Sequence, residues 1–211
     1  MNLNTELDVS KIQNNYTLGF HLAKKFYKNL DTYIDVGVDD VSNLFEISKY
    51  FQKVVGFEPS IQFESIKNSI KEYENIKCYN LALSDRFIKK DFYIDTEEPD
   101  LSSFNKEWIE SFRKKSQKEL TVQTLVTVTL DSVLSTTKDT IHFIKIDAED
   151  EDSLILQGAK KTIEKFKPIV QIENIDADGE DFLHGLGYIE CHDYDHIVRS
   201  DTVDRFFTIN N

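Results

Sequence analysis

Four short, mostly apolar runs along the chain each contain an acidic residue at or near their end. They lie at residues 33–37, 54–59, 144–147 and 169–173. Apolar runs of this length with little polar interruption are typical of strands buried on both faces of a parallel sheet. We therefore predict an open parallel sheet in which several strands finish with a carboxylate.

Segments with helical periodicity alternate with these runs. Leu18, Leu22, Phe26 and Leu30 repeat at helical spacing, and similar apolar repeats occupy residues 44–51, 63–73, 152–166 and 182–186. Further strand-like stretches are predicted at residues 76–83, 92–94, 122–130, 188–192 and 205–209. Alternation of helix and strand predicts an α/β protein with a mostly parallel sheet and helices on both faces.

The domain organisation follows from the absence of repeats and linkers. Residues 1–15 are polar, and we predict a single domain over residues 16–211, a length that suits one well-buried core. Residues 96–120 are strongly charged and contain the only tryptophan, Trp108, with Ile109 and Phe112 close by. This segment is interpreted either as a surface helix or as a lid over a binding crevice, because long insertions in compact domains are often functional.

Composition narrows the classes of partner. The net charge is −13, which argues against nucleic-acid binding because such proteins carry a basic surface. We expect no membrane association, since no apolar run approaches the roughly 18 residues that span a bilayer. Cys78 and Cys191 are interpreted as buried thiols in a reducing compartment. With no secretory signal at the start, we expect a cytoplasmic protein.

The strand-end acids predict the position and chemistry of a binding crevice. The carboxyl ends of strands in an open parallel sheet form the ligand crevice, so acids there suit a ligand with hydroxyl groups and a positive charge. Nucleotide-binding folds commonly place an acid about 20 residues beyond the first strand turn, where it binds a ribose. Glu58 has this position relative to Gly37.

Several short motifs, in this order, carry a resemblance to a known family. Residues 35–41 read Asp-Val-Gly-Val-Asp-Asp-Val, and they are followed by Phe-Glu-Pro at 57–59 and Ala-Leu-Ser-Asp at 82–85. Leu-Ser-Ser at 101–103, Thr-Leu-Asp at 129–131 and Lys-Ile-Asp-Ala-Glu at 145–149 come later. Together they resemble the FkbM-type S-adenosylmethionine-dependent methyltransferases over about residues 30–190. The resemblance implies a Rossmann-like class I methyltransferase fold, with a seven-stranded sheet whose last strand is antiparallel.

The resemblance also implies roles for individual residues. The cofactor would be S-adenosylmethionine, with Glu58 on its ribose, Ser84 and Asp85 at its adenine, and Asp35 and Gly37 along its methionine end. Asp39 could attract the ammonium group of the cofactor. The acceptor would be a small molecule or glycan, and the reaction would be methyl transfer to a hydroxyl of a sugar or of a secondary metabolite.

Three acids are the predicted catalytic residues. Transfer to oxygen requires alignment of the two reactants and a group that accepts the hydroxyl proton. We expect Asp147 nearest the reacting centre, with Glu149 or Glu173 orienting the hydroxyl or taking its proton, at the ends of the two strands beside the first. Three carboxylates can also hold a divalent metal through oxygen ligands, but we do not expect one. We interpret Asp150 and Glu151 as the acidic start of a helix.

The chain departs from the family pattern at two glycines, which are Val41 and Asp150 here, and at an asparagine, which is Asp39. A glycine lets the backbone approach a ligand closely, so we expect Val41 to crowd the methionine end. The alternative hypothesis is therefore a degenerate methyltransferase fold that serves as a non-catalytic binding protein. A nicotinamide-dependent oxidoreductase is disfavoured because the chain lacks a glycine-rich pyrophosphate turn.

Overall fold

The computed structural model describes residues 15–113, 118–192 and 204–209. Its helices and strands, in chain order, are α1 Asn15–Phe26, β1 Thr32–Val36, α2 Val41–Ile47, β2 Lys53–Phe57, α3 Phe63–Ile70, β3 Ile76–Tyr79, β4 Ala82–Leu83, β5 Lys89–Ile94, a 3₁₀ helix Pro99–Leu101, α4 Lys106–Phe112, β6 Thr121–Val128, α5 Leu130–Val133, β7 Ile141–Ile146, α6 Asp152–Gly158, α7 Lys160–Phe166, β8 Ile169–Ile172, α8 Ala177–Gly185, β9 Tyr188–Glu190 and β10 Arg205–Ile209. The predicted polar segment 1–15 lies outside the described residues except for Asn15.

Seven strands form the main sheet in the order β3-β2-β1-β7-β8-β10-β9. The pairs from β3 to β8 are parallel, and β10 runs antiparallel to both β8 and β9. This confirms the predicted α/β fold, with a seven-stranded, mostly parallel sheet and an antiparallel last strand. One detail of the prediction is wrong: only β7 lies beside β1 on that side, and β8 lies one strand further out.

The two faces of the main sheet are covered by different helices, because alternate residues of a strand point to opposite faces. Tyr33 packs in the core cluster that contains apolar residues of α1, α2 and α3. Ile34 and Val36 pack in the cluster that contains residues of α5, α6, α7 and α8. All five residues of β1 are buried, including Thr32 and Asp35, as expected for a central strand that is covered on both faces.

A second, three-stranded sheet has the order β4-β6-β5. The sequence prediction of one continuous strand at 76–83 is wrong, since β3 pairs with β2 whereas β4 pairs with β6. The chain turns at Asn80, whose Nδ2 donates to the backbone oxygen of Glu58 at 3.0 Å, and Leu81 N donates to Tyr79 O at 3.0 Å. This turn moves β4 out of the main sheet and places it beside the crevice.

Local signals account for most helix boundaries. Asp40 is the N-cap of α2, and its Oδ1 accepts a hydrogen bond from Ser42 N at 2.8 Å. The predicted helix over 152–166 is in fact two helices that are separated at Ala159. Leu30 lies beyond the end of α1 and is buried as part of the loop before β1.

Candidate functional site

A cavity of about 230 Å³ opens where β1, β2, β7 and β8 end. This is the edge at which the carboxyl ends of parallel strands form a ligand crevice. Its walls come from the main sheet, from β4 and β5, and from residues 99–104 of the predicted insertion. The lining residues are Val36, Gly37, Asp39, Phe57, Glu58, Pro59, Ser60, Gln62, Leu81, Ala82, Leu83, Phe92, Pro99, Asp100, Ser102, Phe104, Asp147, Ala148, Glu149, Glu151, Ile155 and Glu173.

Gly37 forms the floor of the cavity at the end of β1. It has a positive φ of 81°, and a Cβ at this position would lie 1.7 Å from the backbone oxygen of Asp147. Only glycine therefore permits the end of β1 to pack against the end of β7. Gly37 lines the cavity, as the prediction for the methionine end requires.

Asp35 lies beneath the cavity and is not part of its lining. It is fully buried in β1, and its Oδ1 is 3.8 Å from Nζ of Lys145, which is itself buried in β7. Burial raises the pKa of Asp35 to about 6 even though the Lys145 ammonium opposes the rise. The nearest charged neighbour of Asp35 is therefore another buried side chain, and the predicted contact between Asp35 and a cofactor stays a prediction.

Glu58 projects into the cavity at the end of β2. Its side chain is buried, and Oε1 accepts a hydrogen bond from Ser60 N at 2.7 Å. Burial raises the pKa of Glu58 to about 7, and hydrogen bonds from Ser60 and Val38 only partly offset this effect. The carboxylate is thus held in one orientation and keeps capacity to accept hydrogen bonds from a ligand.

The three predicted catalytic acids lie together. One carboxylate oxygen each from Asp147, Glu149 and Glu173 can be chosen so that all three lie within 4.8 Å of one another, and all three residues line the cavity. Lys145 Nζ donates to Asp147 Oδ2 at 2.8 Å. This arrangement brings three carboxyl groups together where the sequence predicted the reacting centre.

The pKa values of the three acids are driven apart. Burial favours protonation of Asp147, but the Lys145 ammonium and a hydrogen bond with Glu173 outweigh it and lower the pKa of Asp147. Burial and the adjacent Asp147 raise the pKa of Glu149 to about 8. Burial, followed by the hydrogen bond with Asp147, raises the pKa of Glu173. At neutral pH the group therefore contains an ionised Asp147 beside two largely protonated glutamic acids.

Asp39 lines the mouth of the cavity and is exposed. Burial of the carboxyl group and a hydrogen bond with the carboxyl of Asp100 raise the pKa of Asp39 to about 6. Asp100 belongs to the 3₁₀ helix of the insertion and also accepts a hydrogen bond from Gln62 Nε2 at 3.1 Å. The sequence prediction gave a role to Asp39 but missed Asp100.

Ser84 and Asp85 do not line the cavity, although both were predicted to face the adenine. Ser84 Oγ donates to Glu151 Oε1 at 2.5 Å, and Asp85 lies beside Arg86 with 3.4 Å between Oδ1 and Nε. Ala82 and Leu83 of the same motif do line the cavity, so its apolar half faces the space in which an adenine would be bound.

Glu151 is a cavity residue that the sequence analysis assigned to a solvated helix start. It is buried, and its Oε2 accepts from Lys90 Nζ at 2.6 Å. The Lys90 ammonium also lies 4.7 Å from the ring centre of Phe104.

The sequence analysis assigned no role to Lys145. A lysine inside an otherwise apolar strand was the available signal, since a buried ammonium requires acidic partners.

The insertion contributes directly to the site. Pro99, Asp100, Ser102 and Phe104 line the cavity, whereas Trp108 does not. Ser103 Oγ donates to the backbone oxygen of Glu149 at 2.6 Å, which ties this segment to the loop after β7. The segment therefore forms a wall of the cavity in this structure, and whether it moves as a lid stays a prediction.

Comparisons with known proteins identify the family. The family model for the methyltransferase FkbM domain matches residues 25–197, which is most of the chain. The chain belongs to the FkbM methyltransferase family. A solved FkbM methyltransferase from Methylobacillus flagellatus KT is similar in fold, with a TM-score of 0.53 and 14% identity. The match covers 95% of this chain and 56% of that one, so the chain spans little more than half the length of this relative.

Other solved methyltransferases share weaker similarity. A precorrin-6y C5,15-methyltransferase from Geobacter metallireducens GS-15 is 9% identical, with a TM-score of 0.44 over 89% of this chain and 84% of that chain. The N-methyltransferase NodS from Bradyrhizobium japonicum WM9 is 6% identical, with a TM-score of 0.42 over 93% and 95% of the two chains. No curated protein sequence matches the chain.

The two FkbM-family glycines that are replaced in this chain have different consequences. Val41 begins α2 and packs against the α1–α3 core cluster, and it is absent from the cavity lining. The expectation that Val41 crowds the methionine end stays a prediction. Asp150 adopts a positive φ of 77°, which accounts for a glycine at this position of the family motif.

The predictions about membranes and thiols are tested only in part. Over the described ranges, no helix of this FkbM-family chain is both long enough and apolar enough to cross a bilayer. Cys78 and Cys191 form no disulfide with each other, and both are half-buried, whereas the sequence analysis predicted buried thiols.

Proposed function

We propose that this chain is an S-adenosylmethionine-dependent O-methyltransferase acting on a hydroxyl of a sugar, a glycan or a secondary metabolite. The observation that carries the proposal is that Glu58 and the acids Asp147, Glu149 and Glu173 line one cavity at the carboxyl ends of the parallel strands. The matching family model supports the reaction class. We further propose that the protein acts in the cytoplasm.

The residues present fit the cofactor. The Glu58 carboxylate can accept hydrogen bonds from two neighbouring hydroxyls, as a ribose requires. Leu81, Ala82 and Leu83 supply an apolar wall for a flat base. Gly37 leaves backbone exposed at the point where the ends of β1 and β7 meet. When bound, S-adenosylmethionine supplies a methyl group that is already activated by its positively charged sulfur.

The protein must then align the acceptor hydroxyl and remove its proton. Asp147 is ionised and held by Lys145, so it suits the role of orienting the hydroxyl group. A general base is most effective when its pKa lies near the working pH. Glu149, with a pKa of about 8, meets that condition better than Asp147. Glu173 hydrogen-bonds Asp147 and fixes its orientation.

The acidity of the cavity supports a polyol acceptor. Among the cavity-lining residues of the described chain there are seven acids and no lysine, arginine or histidine. Such a surface repels a phosphorylated acceptor and provides many acceptors for neutral hydroxyl groups. The acid group could also hold a divalent metal, but the Lys145 ammonium already neutralises part of its charge.

Calorimetry with S-adenosylmethionine and S-adenosylhomocysteine tests the proposal. At pH 8, where Glu58 is mostly ionised, Glu58→Gln should weaken binding by about 2 kcal/mol, the scale of a charge-assisted hydrogen bond. Glu64→Gln, a change in the first turn of α3 outside the cavity lining, is the matched control and should leave affinity unchanged. Unaltered binding by Glu58→Gln would contradict the ribose role.

Transfer itself distinguishes an enzyme from a non-catalytic binding protein. After a panel of sugars and glycosides has identified an acceptor for the wild type, Asp147→Asn should abolish transfer and keep cofactor affinity within a few-fold. The amide has nearly the size of the carboxylate but carries no charge. Cofactor binding without transfer to any acceptor would favour the degenerate-fold alternative, and full activity of Asp147→Asn would remove this residue from the catalytic group.

A further inference from the structure

Ser102 is a buried hydroxyl that faces the cavity. It directly follows the 3₁₀ helix of the insertion and is 9% exposed. Its Oγ has no hydrogen-bond partner among the residues that the structure describes. A buried polar group without a partner is unfavourable, so a hydroxyl in this position indicates that a ligand completes its hydrogen bonding.

Asp100, two residues earlier, faces Asp39 from the opposite wall of the cavity mouth. Their carboxyl groups hydrogen-bond to each other, an arrangement that needs a proton between them. Gln62 Nε2 donates to Asp100 Oδ1 at 3.1 Å and helps to fix the Asp100 side chain. A cation that entered between the two carboxylates would replace this proton and remove the repulsion between them.

The described groups that interact most strongly with Asp39 are acids. Asp40 lies on the same loop as Asp39, and Asp147 faces Asp39 from the end of β7. Glu58, directly after β2, and Glu149, in the loop after β7, also interact electrostatically with Asp39. The mouth of the cavity therefore favours a positive group over a neutral or negative one.

We propose that Asp39, Asp100 and Ser102 form the subsite for the primary ammonium group of the cofactor's methionine end. This inference rests on the proposed function. A primary ammonium has three N–H donors, and the three side chains offer two carboxylates and one hydroxyl as acceptors. The insertion is then part of the binding site and contributes Asp100 and Ser102 to it.

Two ligands that differ only in the ammonium group test the subsite. S-adenosylhomocysteine carries the ammonium, whereas 5′-S-(3-carboxypropyl)-5′-thioadenosine keeps the adenosine, the thioether and the carboxylate but lacks it. Affinities are measured by calorimetry at pH 8 for the wild type, Asp39→Asn, Asp100→Asn and Ser102→Ala. Asp91→Asn, an exposed acid on β5 away from the cavity, is the matched control.

The wild type should bind S-adenosylhomocysteine at least about tenfold more tightly than the ammonium-free analogue, the size expected for hydrogen bonds to a charged group. Asp39→Asn and Asp100→Asn should each bring the ratio of the two affinities close to one. Ser102→Ala should reduce this ratio, and Asp91→Asn should preserve it. Affinity for the ammonium-free analogue should remain within about twofold in all four variants.

Several outcomes overturn the subsite. Equal affinity of the wild type for the two ligands overturns it and leaves the proposed function standing. If Asp100→Asn loses affinity for both ligands equally, the subsite is also overturned and the proposed function stands. That result would mark Asp100 as a structural residue. If the wild type binds magnesium chloride alone and Asp39→Asn does not, the carboxylates form a metal site, and the ammonium subsite is overturned. No binding of either nucleoside to the wild type overturns the proposed function and the subsite together.

Discussion

Lys145 is the only basic side chain among the described residues that lies in the buried interior beneath the cavity. It is 2% exposed and lies 2.8 Å from Asp147 and 3.8 Å from Asp35. We expect Lys145→Met to lower the free energy of unfolding by about 5 kcal/mol at pH 7 and by about 2 kcal/mol at pH 5. Methionine keeps most of the side-chain volume, so the change removes the charge and little packing.

The magnitude follows from the two acids that lose their partner. In the wild type, the rise in the pKa of Asp35 from 3.8 to about 6 costs about 3 kcal/mol at pH 7. Without Lys145 we expect both acids to be neutral in the fold, and keeping one such acid protonated at pH 7 costs about 4 kcal/mol. Asp35 therefore adds about 1 kcal/mol to the loss of stability, and Asp147 adds about 4 kcal/mol or more, because its pKa is lowered in the wild type.

The pH dependence has a definite sign. An acid whose pKa is raised by folding costs stability above its unfolded pKa, and this cost fades as the pH falls toward that value. At pH 5 Asp35 is already largely protonated in the wild type, so only Asp147 contributes, by about 2 kcal/mol. The variant should therefore approach the wild type as the pH is lowered from 7 to 5.

Urea unfolding followed by circular dichroism at both pH values measures these differences. Lys53→Met is the matched control, because Lys53 pairs with Asp139 in a partly exposed ion pair and should cost less than about 1 kcal/mol. Adding Asp147→Asn to Lys145→Met should recover about 3 kcal/mol at pH 7. A loss below about 1 kcal/mol, or an equal loss at both pH values, would refute the reasoning.

Two backbone positions give further expectations, both measured by unfolding. Gly37→Ala should cost more than about 3 kcal/mol, because its Cβ would overlap the backbone oxygen of Asp147, whereas Gly185→Ala, with nothing within 4 Å, should be neutral or stabilise by up to about 1 kcal/mol. Similar effects of the two changes would contradict the close approach at Gly37. Asp150→Gly and Asp150→Ala both lose the hydrogen bond from Asn105, but only glycine relieves the positive φ, so the glycine variant should be about 1 kcal/mol more stable than the alanine variant, which should be destabilised relative to the wild type. A gain for the alanine variant would argue against strain.

The main sheet could be predicted from the sequence because its signals are local. Each strand is a short apolar run between helical repeats, and parallel strands can be joined only through crossovers. The separation of β3 from β4 could not be predicted in this way. The apolar pattern continues through residues 76–83, and the break depends on Asn80 binding the backbone of Glu58 and on β6, far along the chain, offering a partner to β4.

The same distinction applies to the site. Glu58, Asp147 and Glu173 could be placed because the end of a parallel strand fixes where its next residue lies. Asp100 and Ser102 reach the cavity only because the insertion packs across it, a tertiary contact with no periodic signal. Ser84 belongs to a matching motif, yet its side chain turns to Glu151. A motif therefore located the segment correctly without fixing the direction of each side chain.

The bridge between Tyr93 and Ser103 has a consequence for how this family can change its specificity. Tyr93 N donates to Ser103 O at 2.8 Å, and Ser103 N donates to Tyr93 O at 3.0 Å. Residues 95–102 thus form a loop that follows β5 and is closed at its base by this backbone pair. Because the entropy of closing a loop changes only slowly with its length, this loop can be lengthened, shortened or exchanged at little expense to the sheet. Because Pro99, Asp100 and Ser102 of this loop line the cavity, an exchange of the loop would remodel one cavity wall, including the proposed ammonium subsite, and leave both sheets in place.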